Sequence, residues 1–256
     1  MSPQSLLSVA DLSMRFGGLL AVDRVAFDVR PGEVFAIIGP NGAGKTTVFN
    51  CVSGFYRPSG GRIALDAVAI TGLPSHQIAR RGLVRTFQNI RLFRSLSVLE
   101  NLLVAQHQRV QAGLLAGLLA TRKYRRAERQ ALEQAALWLD QVGLRELANR
   151  EAGALSYGQQ RRLEIARCMI TRPRLLLLDE PAAGLNPQET RELEQLIDTL
   201  RREHGVSVLL IEHDMGLVMS VSDRILVMEN GRPIMTGAPE QVRNDPRVVK
   251  AYLGEE

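Results

Sequence analysis

Cysteine is scarce: Cys51 and Cys168 are the only two in 256 residues, and their spacing is not that of a metal site. A disulfide scaffold and a cysteine-built zinc module are therefore excluded, and both thiols are expected free in a reducing compartment. Long apolar runs are also missing. The longest near-apolar stretch, Ala112 to Ala120, is far shorter than the ~20 residues of a spanning helix, so no transmembrane segment is expected. The start, Met1-Ser2-Pro3-Gln4-Ser5, has neither a charged leader nor an apolar core, so no signal peptide is expected. There is no low-complexity tract and no convincing repeat.

What is present is a chain long enough to bury a real core as one large domain or two small ones. Its net charge of +5 and pI near 9.7 suit anionic ligands, anionic lipid surfaces or nucleic acid, without choosing among them. Short β-like pieces, Leu7-Ser8-Val9 and Val25 to Val29, precede a turn at Pro31-Gly32. Arg62 to Leu65 reads as another strand, and Ser75 to Arg81 as a short helix closed by Gly82. From Ser97 the texture turns helical for some 70 residues, opened by the capping box Ser97-x-x-Glu100. A helix is expected over 124–142, closed by Gly143, with an exposed basic connection over Arg109 to Arg129. Beyond 172 the pattern is α/β. Leu175 to Leu178 and Val206 to Ile211 are continuous apolar strands, as in a buried parallel sheet. Asn186-Pro187 starts a helix with Leu193, Leu196, Ile197 and Leu200 on one face. Asn230-Gly231 is a hairpin signal, and 239–253 read as two short helices.

The most informative stretch is Gly39-Pro40-Asn41-Gly42-Ala43-Gly44-Lys45-Thr46-Thr47. It has the G-x-x-x-x-G-K-[ST] spacing, with the β-prone run Glu33 to Ile38 before it and a helix-length run, Thr46 to Ser53, after it. Its glycines let backbone N–H groups converge on oxygens, Lys45 adds a point charge, and the helix N-terminus adds its positive end. The guest such a loop suits is a nucleoside triphosphate with Mg²⁺. The loop by itself leaves ATPase, GTPase and kinase open.

Asp179-Glu180-Pro181 closes the strand Leu175–Leu178, at the sheet end where phosphates bind. Strand alternation would point the two carboxylates to opposite faces. Asp179 would then hold Mg²⁺, directly or through water, with the Thr46 hydroxyl on the same ion. Glu180 would be left free to polarise a water for attack on the γ-phosphate. Ser156 and Gly158, in Leu155-Ser156-Tyr157-Gly158-Gln159, precede a helix-like run in a second anion-binding arrangement, which could also be a plain helix cap.

With Gln88 after Arg85-Thr86-Phe87, Gly184-Leu185-Asn186, and His213 after the next strand, these motifs stand in the order of ABC-transporter nucleotide-binding subunits. The chain resembles that family over nearly its whole length. The wording around Met14 to Leu19, Val84 to Arg94, Glu164 to Cys168, Pro181 to Pro187 and Ala251 to Glu255 resembles, more narrowly, the LivG-type ATPase of branched-chain amino acid importers. The resemblance implies an α/β P-loop NTPase fold: a RecA-like core with a flanking antiparallel β subdomain and an inserted α-helical subdomain. It is expected as a single domain, with 1–88 and 167–256 as core and 89–166 as the helical part.

The resemblance also implies roles. Phe16 would stack on adenine, and residues Gly39 to Thr47 would hold the phosphates. Gln88 would link the γ-phosphate and Mg²⁺ region to the membrane partner. Ser156 and Gly158 would touch the γ-phosphate of an opposite subunit, and Asn186 would lie in the loop that crosses to it. Glu180, His213 and Gln88 would serve hydrolysis, and Thr46, Gln88 and Asp179 the metal. The implied cofactors are ATP and Mg²⁺. The implied partners are a second ATPase subunit, a membrane permease and, indirectly, an external solute-binding protein, with no nucleic acid. The implied location is cytoplasmic, peripheral on the inner face of the cell membrane. Two positions depart from the family. Tyr157 stands where Gly is common, and a positive φ would be strained there; Asn186 stands in place of a common Asp. Other readings are another ABC system, such as lipopolysaccharide export, an ABC ATPase acting on DNA or ribosomes, and a non-catalytic scaffold.

Overall fold

The computed structural model describes residues 5–106 and 122–253. The described chain falls into two units, one from Met1–Gln88, Arg174–Ala183 and Thr190–Glu256, the other from Asn89–Pro173 and Gly184–Glu189.

In the first unit, β1 (Leu7–Phe16) and β2 (Leu19–Val29) are longer than the short pieces expected from sequence. They pair antiparallel, and β1 also pairs with β4 (Gly60–Leu65), which carries the short β5 (Val68–Ala69), giving the order β2-β1-β4-β5. One face of this sheet supplies Leu7, Val9, Leu12, Val25, Ile63 and Leu65 to a core shared with the second sheet. That sheet has the order β10-β9-β3-β8-β7-β6. Its members are β3 (Val34–Ile38), β6 (Leu83–Arg85), β7 (Leu175–Asp179), β8 (Ser207–Ile211), β9 (Arg224–Glu229) and β10 (Arg232–Gly237). All neighbours pair parallel except β9 and β10, the hairpin signalled by Asn230-Gly231. Asn230 (φ 48°) and Gly231 (φ 78°) both take the left-handed conformation that such a two-residue turn requires.

β3, β7 and β8 are buried at every residue. That is why they read as unbroken apolar runs rather than alternations. Each leucine of Leu175–Leu178 is fully buried, and each such burial contributes about 1.5–3 kcal/mol. α1 (Lys45–Val52) and α2 (Ser75–Arg80) follow the strands β3 and β5. α6 (Pro187–Arg202) buries Leu193, Leu196, Ile197 and Leu200, the face its spacing predicted. α7 (Met215–Val221), α8 (Pro239–Asn244) and α9 (Pro246–Leu253) complete this unit.

The second unit is helical: α3 (Val98–Gln106), α4 (Arg122–Gln141) and α5 (Tyr157–Met169), with 3₁₀ turns at Arg145–Leu147 and Ala152–Ala154. The Ser97 box forms as expected. Glu100 N–H donates to Ser97 Oγ (3.1 Å) and Ser97 N–H to Glu100 Oε2 (2.7 Å). These bonds hold the Glu100 carboxyl below its ordinary pKa. The expected basic connection is corrected over its second half, because residues 122–129 belong to α4. Ala135, Trp138 and Leu139 bury one side of the same helix and carry its charged first turns into helical form. The first half of that connection, 109–121, lies outside the described residues. No helix among the described residues is long and apolar enough to cross a membrane.

Candidate nucleotide site

β3 delivers the chain to Gly39 at the C-terminal edge of the parallel sheet, and α1 begins at Lys45. The bend between them depends on glycine. Gly39 (φ 149°) and Gly44 (φ 96°) lie in the left-handed region, and a Cβ on Gly39 would sit 2.1 Å from the Met228 carbonyl oxygen. Lys45 folds back over the loop and is almost wholly buried. Its Nζ donates to the Gly39 carbonyl (2.6 Å) and the Pro40 carbonyl (3.0 Å). Burial lowers the Lys45 pKa, and the Glu180 carboxylate opposes that shift. The amino group is thus held at the loop by the two backbone oxygens, with the Glu180 carboxylate as the opposite charge nearby.

A cleft of about 400 Å³ opens over this loop. Residues 41–47 line it with Glu180, His213, Leu19, Leu20, Ala21, Asn230 and Gly231. The last five were not foreseen as site residues. The hairpin signal gave the turn, but not what the turn touches. Gly231 N–H donates to the Ala43 carbonyl (3.2 Å), and the Gly231 carbonyl accepts from Asp23 N–H (2.9 Å). A Cβ on Gly231 would lie 2.7 Å from the Ala21 carbonyl. The β9–β10 turn is therefore wedged between β2 and the loop. Phe16 does not line the cleft. It is exposed and packs edge-on against Tyr56, ring centroids 5.4 Å apart.

The two adjacent carboxylates are separated, but not by pleat alternation as expected. β7 ends at Asp179, and Glu180 takes a left-handed conformation (φ 47°). Its N–H donates to the Ile211 carbonyl (2.9 Å). Left-handed geometry at a non-glycine residue is a strained feature that surrounding structure must hold in place. Nor is Glu180 free, as the sequence reading had it. Gln88 Nε2 donates to Oε2 (2.7 Å), and His213 Nε2 lies 2.8 Å from Oε1. Asp179 is buried and its Oδ2 accepts from Arg85 Nη2 (2.6 Å). Its Oδ1 has no hydrogen-bond partner among the described residues.

A further buried carboxylate, Glu212, ties the His213 turn to the Glu180 turn. It accepts from Ala182 N–H (2.6 Å) through Oε1, and from His213 N–H (2.8 Å) and Asp214 N–H (3.2 Å) through Oε2. Its position beside His213 was visible in the sequence, but its partner thirty residues earlier was not. At the chain's far end, burial raises the Tyr252 pKa, partly offset by a hydrogen bond from the Gly39 backbone.

Ser156 and Gly158 belong to the second unit. Ser156 caps α5 in a reciprocal box with Gln159, so the anion-binding reading and the cap reading fall on the same residue. Tyr157 is the first helical residue and is not left-handed, so the expected strain is absent. Its hydroxyl accepts from Arg161 Nη2 (3.2 Å). Gly158 is buried against Glu189; a Cβ there would lie 2.3 Å from Glu189 Oε1. Glu189 Oε2 in turn accepts from Asn186 N–H (3.0 Å), while Asn186 Oδ1 accepts from Glu189 N–H (3.0 Å). The Leu155–Gln159 and Gly184–Asn186 segments thus meet within one unit.

Residues 22–183 match the ABC transporter family. This chain belongs to that family. Residues 232–256 of the cassette match a second family, the branched-chain amino acid ATP-binding cassette transporter. The cassette is 63% identical to the high-affinity branched-chain amino acid transport ATP-binding protein BraF of Pseudomonas aeruginosa, over 98% of each chain. It is 61% identical to the corresponding protein LivG of Escherichia coli K12, over 98% of this chain and 99% of LivG. A crystal structure of the ADP conformation of an ABC-transporter cassette superimposes with a TM-score of 0.85 at 33% identity, over 98% of this chain and 99% of the other. The α/β fold with an antiparallel sheet and a mixed sheet is that of the ABC ATPase cassettes, as the sequence led one to expect.

Proposed function

We propose that this cassette is the ATP-binding and ATP-hydrolysing subunit of an importer for branched-chain amino acids. The observation that carries the reading is identity above 60% along nearly the whole chain to two transport ATP-binding proteins of that class, in a chain whose Lys45, Glu180 and His213 surround one cleft. Lys45 and the backbone N–H groups of residues 41–47, which line the cleft, take the phosphates. Phe16, exposed at the end of β1, is the adenine contact. Asp179 and the Thr46 hydroxyl are hard oxygen donors, a set that fits a cation which keeps most of its shell as water and phosphate. Mg²⁺, when bound with the nucleotide, neutralises charge on the β- and γ-phosphates.

Glu180 is the general base and His213 holds it while contacting the γ-phosphate. A water needs one oxygen of Glu180, and the Gln88 amide occupies Oε2. Movement of Gln88 therefore couples the base to whatever Gln88 touches, and the permease is the partner for that role. The helical part, 89–166, forms its docking face within a single cassette domain. Ser156 and Gly158 serve the ATP of a second subunit, so that two subunits enclose two nucleotides. The cassette works at the cytoplasmic face of the cell membrane, bound through the permease, which an external binding protein supplies with solute.

Reconstitution with the permease subunits and binding protein in proteoliposomes tests this. Leucine, isoleucine or valine outside the vesicle is expected to raise ATP turnover and to accumulate with it. Stimulation by an unrelated solute alone would overturn the cargo assignment.

A further inference from the structure

Arg85 has no part in the proposed hydrolysis, yet its side chain is enclosed beside Asp179. It ends β6, the three-residue edge strand, whose register sets Arg85 opposite Leu177 on β7. Its side chain is 7% exposed and pairs with Asp179, 4% exposed. Nη2 donates to Asp179 Oδ2 (2.6 Å), and Nη1 donates to Asn50 Oδ1 (2.7 Å) and Ser53 Oγ (3.0 Å) at the far end of α1. Three rings surround the guanidinium, those of Phe49, Phe55 and Phe87, each with its centroid 5.5–5.7 Å away. The rings and the planar fork leave it one orientation. The next residue adds a second fixing point, since Thr86 Oγ1 accepts from Asp179 N–H (3.3 Å).

We infer that Arg85 is a positioning residue for the cation site: it holds Asp179 by one oxygen, against the helix that carries Lys45 and Thr46, so that only Oδ1 is offered to the cation or its water. This rests on the reading of Asp179 as the cation-facing carboxylate. A lysine cannot reproduce the arrangement, because a single ammonium cannot span Asp179, Asn50 and Ser53 in a fixed plane. Partners that orient a metal-binding carboxylate typically change metal affinity about 10–100-fold when lost.

The test measures binding of a fluorescent ATP analogue by the whole chain, with Mg²⁺ titrated from zero. In Arg85→Lys the Mg²⁺ concentration for half-maximal tight binding is expected to rise about tenfold or more, while affinity in EDTA stays within about twofold of wild type, since the phosphate loop is untouched. Asn50→Ala, which keeps the ion pair but removes one acceptor, is expected to raise it less. Asp179→Asn is expected to raise it too, and the Asp179→Asn/Arg85→Lys pair no further, because both changes act through one carboxylate. An unchanged Mg²⁺ requirement in Arg85→Lys and in Asn50→Ala, alongside a raised one in Asp179→Asn, overturns the inference about Arg85 alone. An unchanged requirement in Asp179→Asn overturns the reading beneath it. Should Arg85→Lys lose its thermal unfolding transition, Asn50→Ala decides the matter by the same readout.

Discussion

His213 Nε2 stands 2.8 Å from Glu180 Oε1, and the turns bearing them are joined behind the cleft by Glu212. The base is thus oriented by a side chain that itself reaches the cleft. Replacing His213 by Ala is expected to lower ATP turnover about 10²-fold or more, the scale of a lost acid–base or orienting group. Nucleotide affinity, set by Lys45 and the loop, should change little. Steady-state kinetics with a separate binding titration checks both halves.

Glu212→Ala removes the acceptor of three backbone N–H groups. The Ala182 bond is the buried one and the other two are part-buried; a buried donor left unmatched costs about 1–3 kcal/mol, and a donor that water can reach costs less. Urea unfolding should show a loss in that range or above, and turnover should fall with the position of His213. Glu212→Gln keeps one good acceptor and should fall between the two.

At Gly158 an added methyl would collide with Glu189 Oε1 at 2.3 Å. The carboxylate can swing away, but then loses the Asn186 N–H. Gly158→Ala should therefore cost about one hydrogen bond, ~1 kcal/mol. In the background of Glu189→Ala it should cost far less, and a double-mutant cycle of unfolding free energies measures the coupling.

Burial raises the Cys51 thiol from an ordinary 9.0 to about 11. Between these values the folded chain keeps a proton that the unfolded chain has released, so stability falls as pH rises from 9 towards 11. Cys51→Ala should flatten that decline in chemical denaturation series at pH 8 to 10.5. Native Cys51 should also resist thiol reagents at pH 8.

The elements of the site that were legible in the sequence are those whose chemistry is local. Gly39 to Thr47 announce a phosphate loop because only glycine tolerates its turns, and Asn230-Gly231 announce a hairpin for the same reason. The buried strands β3, β7 and β8 were legible because both of their faces are covered. β6 was not, since three residues cannot display a period of two. Arg85 was invisible as a partner of Asp179 because 94 residues separate them. The left-handed turn at Glu180 was hidden because an acidic residue carries no mark of it. The charged start of α4 read as a connection because its burial begins only at the following turns, near Ala135.

Single-turnover hydrolysis by Glu180→Gln, with permease present, is the most direct measurement. ATP should bind as in wild type, while its cleavage falls about 10²- to 10⁴-fold. Cleavage at the wild-type rate would contradict the assignment of Glu180 as the base, and with it the account of the cleft.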